Sequence, residues 1–325
     1  MNRQQIWISL ITLTLFAVVP PLTVLFDQPF YLDMFARIMI LAIAAVSLDL
    51  ILGHGGMVSF GHAVYMGIGA YAVGILSYYG IDNGFIQFPL AMLASALIGL
   101  IFGAMSLRTS GVYFIMITLA FAQMLFFLAI SLEEFGGDDG MSAARSEFAG
   151  LIDMYDGVQF YYLIFACLAL VLYLLHRLVL SRFGMVIRAS RSNEKRMHAI
   201  GYPTYRYKLA AFTIAGTICG LAGALFANLN EFVSPDVMHW THSGEIMVMV
   251  IMGGIGTLIG PVLGASAFLL LEEYLPEWME MVMTNGGEHW AIVMGPILIA
   301  IVLFGRGGIH ALFASRGKIG VKQND

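Results

Sequence analysis

Residues 177–208, RLVLSRFGMVIRASRSNEKRMHAIGYPTYRYK, are the longest polar interruption in a chain that is otherwise mostly apolar. Eight of the sixteen Lys and Arg residues stand in it, against one acid, Glu194. Apolar segments long enough to cross a bilayer lie on both sides. A large basic loop between membrane spans, on a chain with no energy-converting motif of its own, reads as a docking surface for a protein that supplies energy.

Hydrophobic residues make up 59% of the 325 and charged residues only 11%, well below the roughly 25% of soluble domains. Such a chain cannot cover itself with polar surface, so part of its solvent is lipid. Thirty-six glycines fit close helix packing in a bilayer and would be costly in soluble helices. The net charge of −5 says little, because charge is segregated by loop. Cys167 and Cys219 sit in different apolar segments without metal-ligand spacing, so packing is expected of both. The N-terminal apolar run through Pro20 and Pro21 has no A-x-A site and reads as a retained first span.

A bilayer core of about 30 Å needs roughly 20 apolar residues per helix. Spans are expected near 6–26, 34–53, 57–79, 86–105, 111–132, 158–180, 209–230 and 289–304. Another, at 243–255 and 258–275, forms two arms around a break. Lys and Arg accumulate in short cytoplasmic loops, and fourteen of the sixteen fall on one side. The exceptions are Arg37 and Arg145, while the opposite loops are acidic. Trp240, Trp278 and Trp290 lie at outer ends and Trp7 at an inner end, where indoles favour the headgroup level. The expectation is one polytopic all-α membrane domain over 1–325, with eight to ten crossings. Both termini would be cytoplasmic, as would the loop 181–208.

Glycine and hydroxyl residues interrupt the apolar pattern twice at membrane depth. One run is Gly53-His54-Gly55-Gly56-Met57-Val58-Ser59-Phe60-Gly61-His62 and the other Gly253-Gly254-Ile255-Gly256-Thr257-Leu258-Ile259-Gly260-Pro261. Both can be aligned loosely as a diverged internal repeat. Backbone freed from a helix cannot face lipid, so it is buried in protein or lines a wet cavity. In transporters such breaks often form the substrate site, whereas glycine hairpins elsewhere merely allow tight packing. The pathway candidates are Gly55, Gly56, Ser59, Gly61, His62, Thr118, Glu245, Gly253, Gly254, Gly256 and Thr257. Each has a plainer reading. A lone histidine such as His54 or His62 is usually hydrogen-bonded locally. Glu245 suits a helix dipole if its helix starts at Ser243, and Asp49 reads as interfacial. His239 and His242, three apart beside Trp240, make a chance pairing rather than a zinc site. The spacing of Gly216, Gly220 and Gly223 marks a face for close helix contact, within the subunit or with a partner.

Inside the basic loop, Asn193 can cap a short helix. Glu194 suits the helix's positive end, Gly201 its C-cap, and Pro203 its stop. Met197 and Ile200, three apart, would share one face. Two turns are unstable alone, so something should pack on that face: a protein, or lipid headgroups that neutralise the basic residues.

No G-x-x-x-x-G-K-[ST] loop occurs. Gly67-Ile68-Gly69 and Gly254-Ile255-Gly256 lie in apolar spans with the third glycine misplaced, which rejects a dinucleotide site. There is no G-x-S-x-G and no H-E-x-x-H. Catalytic residues, metal, cofactor and nucleic acid are therefore not expected.

The run Leu48-Asp49-Leu50-Ile51-Leu52-Gly53 through Ser59-Phe60-Gly61-His62 to Gly67-Ile68-Gly69-Ala70-Tyr71 resembles membrane subunits of bacterial branched-chain amino-acid ABC importers. So do Arg108-Thr109-Ser110-Gly111-Val112-Tyr113-Phe114, Phe183-Gly184 with Arg188-Ala189, Gly201 with Tyr207-Lys208, Val233-Ser234-Pro235, and 253–264. The likeness runs in order over nearly the whole chain and is strongest to the M-type permease. His54-Gly55 and Met57 depart from the family pattern. The resemblance implies an inner-membrane heterodimer with a homologous permease, two cytoplasmic ATPases and a periplasmic solute-binding protein. It makes the basic loop a coupling helix, with Arg188, Glu194, Met197, Ile200 and Gly201 at the ATPase. Urea, short amides or other small solutes are alternatives in the same class. An ion-coupled secondary transporter is the alternative outside it, but such proteins place ionisable relays deep in the bundle.

Overall fold

The computed structural model describes residues 3–150, 152–282, 290–304 and 308–309. Helix α1 spans Arg3–Phe26, and α2, Pro29–Asp49, continues into a π-helical turn at Leu50–His54. After an irregular stretch come α3, His62–Tyr78, then α4, Gly84–Ser106, and α5, Val112–Ser131. Helix α6, Gly157–Leu180, leads into the basic loop, which folds as α7, Arg182–Ser192, and α8, Glu194–Ala199. The chain returns through α9, Thr204–Asn230, α10, Trp240–Gly253, α11, Gly260–Val282, and α12, Trp290–Phe304. Arg306, Arg316, Lys318 and Lys322, used in the sidedness argument, lie outside the described residues.

Six helices among the described residues are long and apolar enough to cross a membrane. They make the chain an all-helical, multi-pass membrane protein. At 1.5 Å per residue, the 14 residues of α10 reach about 21 Å, short of a bilayer core. Helix α11 runs back beside it as the second arm of a hairpin. The span expected at 57–79 starts late, at His62. Gly56 adopts φ +70°, and side chains then compete for the backbone: Ser59 Oγ accepts from the Gly61 amide and Thr118 Oγ1 from that of Phe60. Such local bonds displace helix.

Helices α2 and α9 form the centre. Of the apolar window 83% is buried for Pro29–His54, against 22% for Val112–Ser131, so α5 turns most of its surface to lipid or another subunit. The small-residue face of α9 is used within the subunit. A Cβ on Gly220 would strike Ser95 of α4, and one on Gly223 the backbone of Met66 in α3. Backbones this close are possible only without side chains between them.

The acidic loop after α5 holds something hydropathy did not indicate. Strand β1, Met141–Ser142, pairs antiparallel with β2, Phe232–Val233. Asn228 Oδ1 accepts from the Ser146 amide at 2.7 Å, and Ser146 Oγ donates to Gln87 Oε1. Arg145, an exception to the charge bias, is held here at 2.8 Å from Glu231, so the local acid compensates it.

Candidate functional site

The two glycine breaks touch. Asp49, in the last turn of α2, is buried, and its Oδ1 accepts a 2.7 Å hydrogen bond from the backbone N–H of Gly256. The Gly256 amide is free because α10 ends at Gly253 and α11 does not start until Gly260. The residue is half-buried, so leaving this amide unpaired would cost less than the roughly 1–3 kcal/mol of a fully buried group. Gly53 makes the approach possible, since a Cβ there would overlap the Asp49 carboxylate and come within 2.5 Å of the Gly256 nitrogen. Gly254 and Gly256 have φ +121° and +77°, a region where any Cβ is strained. Thr257 Oγ1 donates to Gly254 O at 2.7 Å and accepts from Gly260 N–H at 3.1 Å, closing the turn.

The first break has a mirror-image need for a donor. Beyond the π turn the Met57 amide bonds back to Ile51 O at 2.9 Å, and the Gly53 carbonyl accepts from the guanidinium of Arg191 on α7. A cation also suits the negative end of α2. His54 Nδ1 stays local, 3.3 Å from the Asp49 carbonyl oxygen and 3.6 Å from its carboxylate.

Two polar cavities border residues of this junction. One, of about 520 Å³, is walled by Gly55, Gly56, Arg108, Thr109, Ser110, Arg191, Glu194 and Lys208 among others. The second, of about 210 Å³, is lined by His54, His176, Arg188, Gly256 and Thr257 with their neighbours. A larger groove of about 650 Å³ between α1 and α2 is almost wholly apolar and holds none of the expected residues.

The expected pathway residues therefore separate. Gly55, Gly56, Gly256 and Thr257 line cavities, and Gly253 and Gly254 form the turn beside them. His62, Ser59 and Thr118 do not: all three are buried and knit the bundle. His62 Nε2 lies 2.8 Å from Ser47 Oγ, and a Cβ on Gly61 would meet the Thr118 backbone. Glu245 sits 2.8 Å from His242 Nδ1 at the far end of α10. Because α10 starts at Trp240 rather than Ser243, the first-turn dipole account of Glu245 gives way to this pairing. Asp49, read as interfacial, proves buried. A lone carboxylate one turn before Gly53 in a span otherwise without acids was the signal that could have found it. Arg191 was one basic residue among eight, with no local mark of its reach.

The basic loop folds largely as expected. Asn193 Oδ1 accepts from the Arg196 amide at 2.9 Å and Gly201 has φ +87°. One expectation is corrected: Met197 and Ile200 do not share a face. Helix α8 ends at Ala199, so Met197 turns inward and is buried while Ile200 is 64% exposed. Arg188 stays exposed, its guanidinium donating to Val179 O at 3.2 Å at the end of α6. Glu194 anchors α8 to α9, accepting from Lys208 Nζ at 2.8 Å and Thr204 Oγ1 at 3.0 Å. Burial opposes ionisation of Glu194, but Lys208 and Thr204 outweigh it and hold the carboxyl below its usual value. The stabilisation is therefore present above the unfolded value of about 4.3 and lost as pH falls through the lower folded value. Glu194→Gln should loosen α8 at neutral pH by less than about 1 kcal/mol, as the pair is partly solvated. Faster amide exchange in α8 of the variant, converging with the parent in strong acid, is the expected result.

The site is built from glycine backbone packed closely between helices, several of them long and apolar enough to cross a membrane. The chain belongs to the family of branched-chain amino acid transport system permease components, whose model matches residues 30–302. It is 29% identical over 286 residues to the high-affinity branched-chain amino acid transport permease LivM of Salmonella typhimurium, covering 81% of this chain and 67% of that one. The Escherichia coli LivM protein matches to the same extent. A probable branched-chain amino acid permease LivM of Methanocaldococcus jannaschii is 25% identical, covering 81% of this chain and 85% of that protein. No solved structure matches.

Proposed function

We propose that this chain is one of two homologous permeases in an ATP-driven importer of the bacterial inner membrane. Two cytoplasmic ATP-binding subunits would seat on α8, and a periplasmic binding protein would deliver the solute. The solute class is branched-chain or related small amino acids, by the names of the relatives. The observation that carries the reading is the direct contact of the two breaks, Asp49 to Gly256, beside a cavity that α7 and α8 also wall. Motion at the docking helix then has a short route to backbone at membrane depth. A probable LivH permease of Methanocaldococcus jannaschii is also similar, at 24% identity, which supports a second permease of the same family as partner. The basic loop and both termini lie on the cytoplasmic side in this reading, with eight to ten crossings. Gly55, Gly56, Gly253, Gly254, Gly256 and Thr257 border the path.

Reconstitution into proteoliposomes tests this. Uptake should require the second permease, the ATPases, ATP and the loaded binding protein together. Uptake by this subunit alone, driven by a proton or sodium gradient, would overturn it in favour of an ion-coupled transporter. Competition with urea or short amides for the binding protein decides between solutes of the same class.

A further inference from the structure

We infer that Arg191 is the positioning residue that transmits docking-helix movement to both breaks, an inference resting on the importer reading above. Arg191 lies at the end of α7, two residues before the Asn193 cap of α8, so any tilt of α8 moves its backbone directly. Its guanidinium donates to the carbonyl of Gly53, 138 residues earlier in the chain. Its aliphatic stem lies across Gly56, where a Cβ would come 2.8 Å from Arg191 Cγ. One turn before Gly53, Asp49 holds the Gly256 amide. The first break thus receives its donor from the cytoplasmic loop and gives an acceptor to the second. These contacts form one unbroken path from α8 to the tip of the α10–α11 hairpin.

Arg191 and Gly56 both line the larger polar cavity, while Gly256 lines the smaller. The chain of contacts that starts at Arg191, on the lining of one polar cavity, thus ends at Gly256, on the lining of the other. Withdrawing Arg191 frees the Gly53 carbonyl and loosens the contact between the two breaks; seating it restores that contact. Arginine suits the task because its planar fork reaches a carbonyl while its stem lies against apolar surface and glycine.

The test uses the complete reconstituted importer and reads uptake and ATP hydrolysis together. Arg191→Met should lower uptake at least tenfold while hydrolysis continues near its basal rate and no longer responds to loaded binding protein. Arg191→Lys, which keeps a donor, should restore a measurable part of the uptake-to-hydrolysis ratio. A merely structural role would lower both activities in proportion, and that outcome, or an unchanged ratio in both variants, overturns the inference. If Arg191→Met does not assemble, the ratio for Arg191→Lys decides alone: a fall supports transmission and a parental value overturns it. Failure of the importer reading would look different, as the parent protein itself would then take up solute without ATPases.

Discussion

Gly53→Ala is expected to cut solute uptake by about tenfold or more while leaving the protein inserted in the membrane. A Cβ at this position would overlap the Asp49 carboxylate and lie 2.5 Å from the Gly256 nitrogen. The methyl and the Asp49–Gly256 hydrogen bond cannot share that space. Overpacking of this kind costs about 1–3 kcal/mol, and about 1.4 kcal/mol is a factor of ten in any equilibrium the junction governs. Gly244→Ala is the control, since a Cβ there meets only Phe60, at 4.0 Å. It should behave as the parent. Transport rates measured beside membrane yield distinguish the two cases. Parental uptake by Gly53→Ala would show that the breaks need not approach so closely.

Ile200→Glu and Gly201→Trp should uncouple the importer without unfolding this subunit. Ile200 is 64% exposed, and surface substitutions away from special features usually change stability by less than about 0.5 kcal/mol. Seated in a partner, the same side chain would contribute about 1.5–3 kcal/mol, so charge there should weaken ATPase association by roughly tenfold to a hundredfold. A Cβ on Gly201 meets nothing within 4 Å, leaving room for an indole that would block docking. Because Gly201 has φ +87°, any side chain adds strain of about 1–2 kcal/mol, which makes Gly201→Ala the control. Pull-down of the ATPases and hydrolysis stimulated by binding protein are the readouts. Normal association in both variants would remove α8 as the docking element. Met197 is no substitute, because it is buried and charge there would damage the loop itself.

Composition and spacing alone determined the class of this molecule. A chain with 59% hydrophobic residues in runs near twenty needs lipid as part of its solvent and helices to cross it, whatever its partners do. The Asn193 cap and Gly201 stop of α8 were equally local, as caps depend on residues within one turn. Both breaks were visible too, since glycine clusters at membrane depth have few uses. Their meeting was not. Asp49 and Gly256 stand 207 residues apart, and nothing in either segment specifies the other's position; only the packing of α2 against α10 and α11 does. The same holds for Arg191, whose seven basic neighbours in the loop hide its contact with Gly53. The small-residue face of α9 was readable as a contact surface, but α3 and α4 became its occupants only through the bundle's topology. Met197 and Ile200 parted because a helix that stops at Ala199 has no second turn to keep them on one face. Local chemistry writes helices, caps and breaks into a sequence, whereas pairing between distant breaks exists only once the bundle has closed.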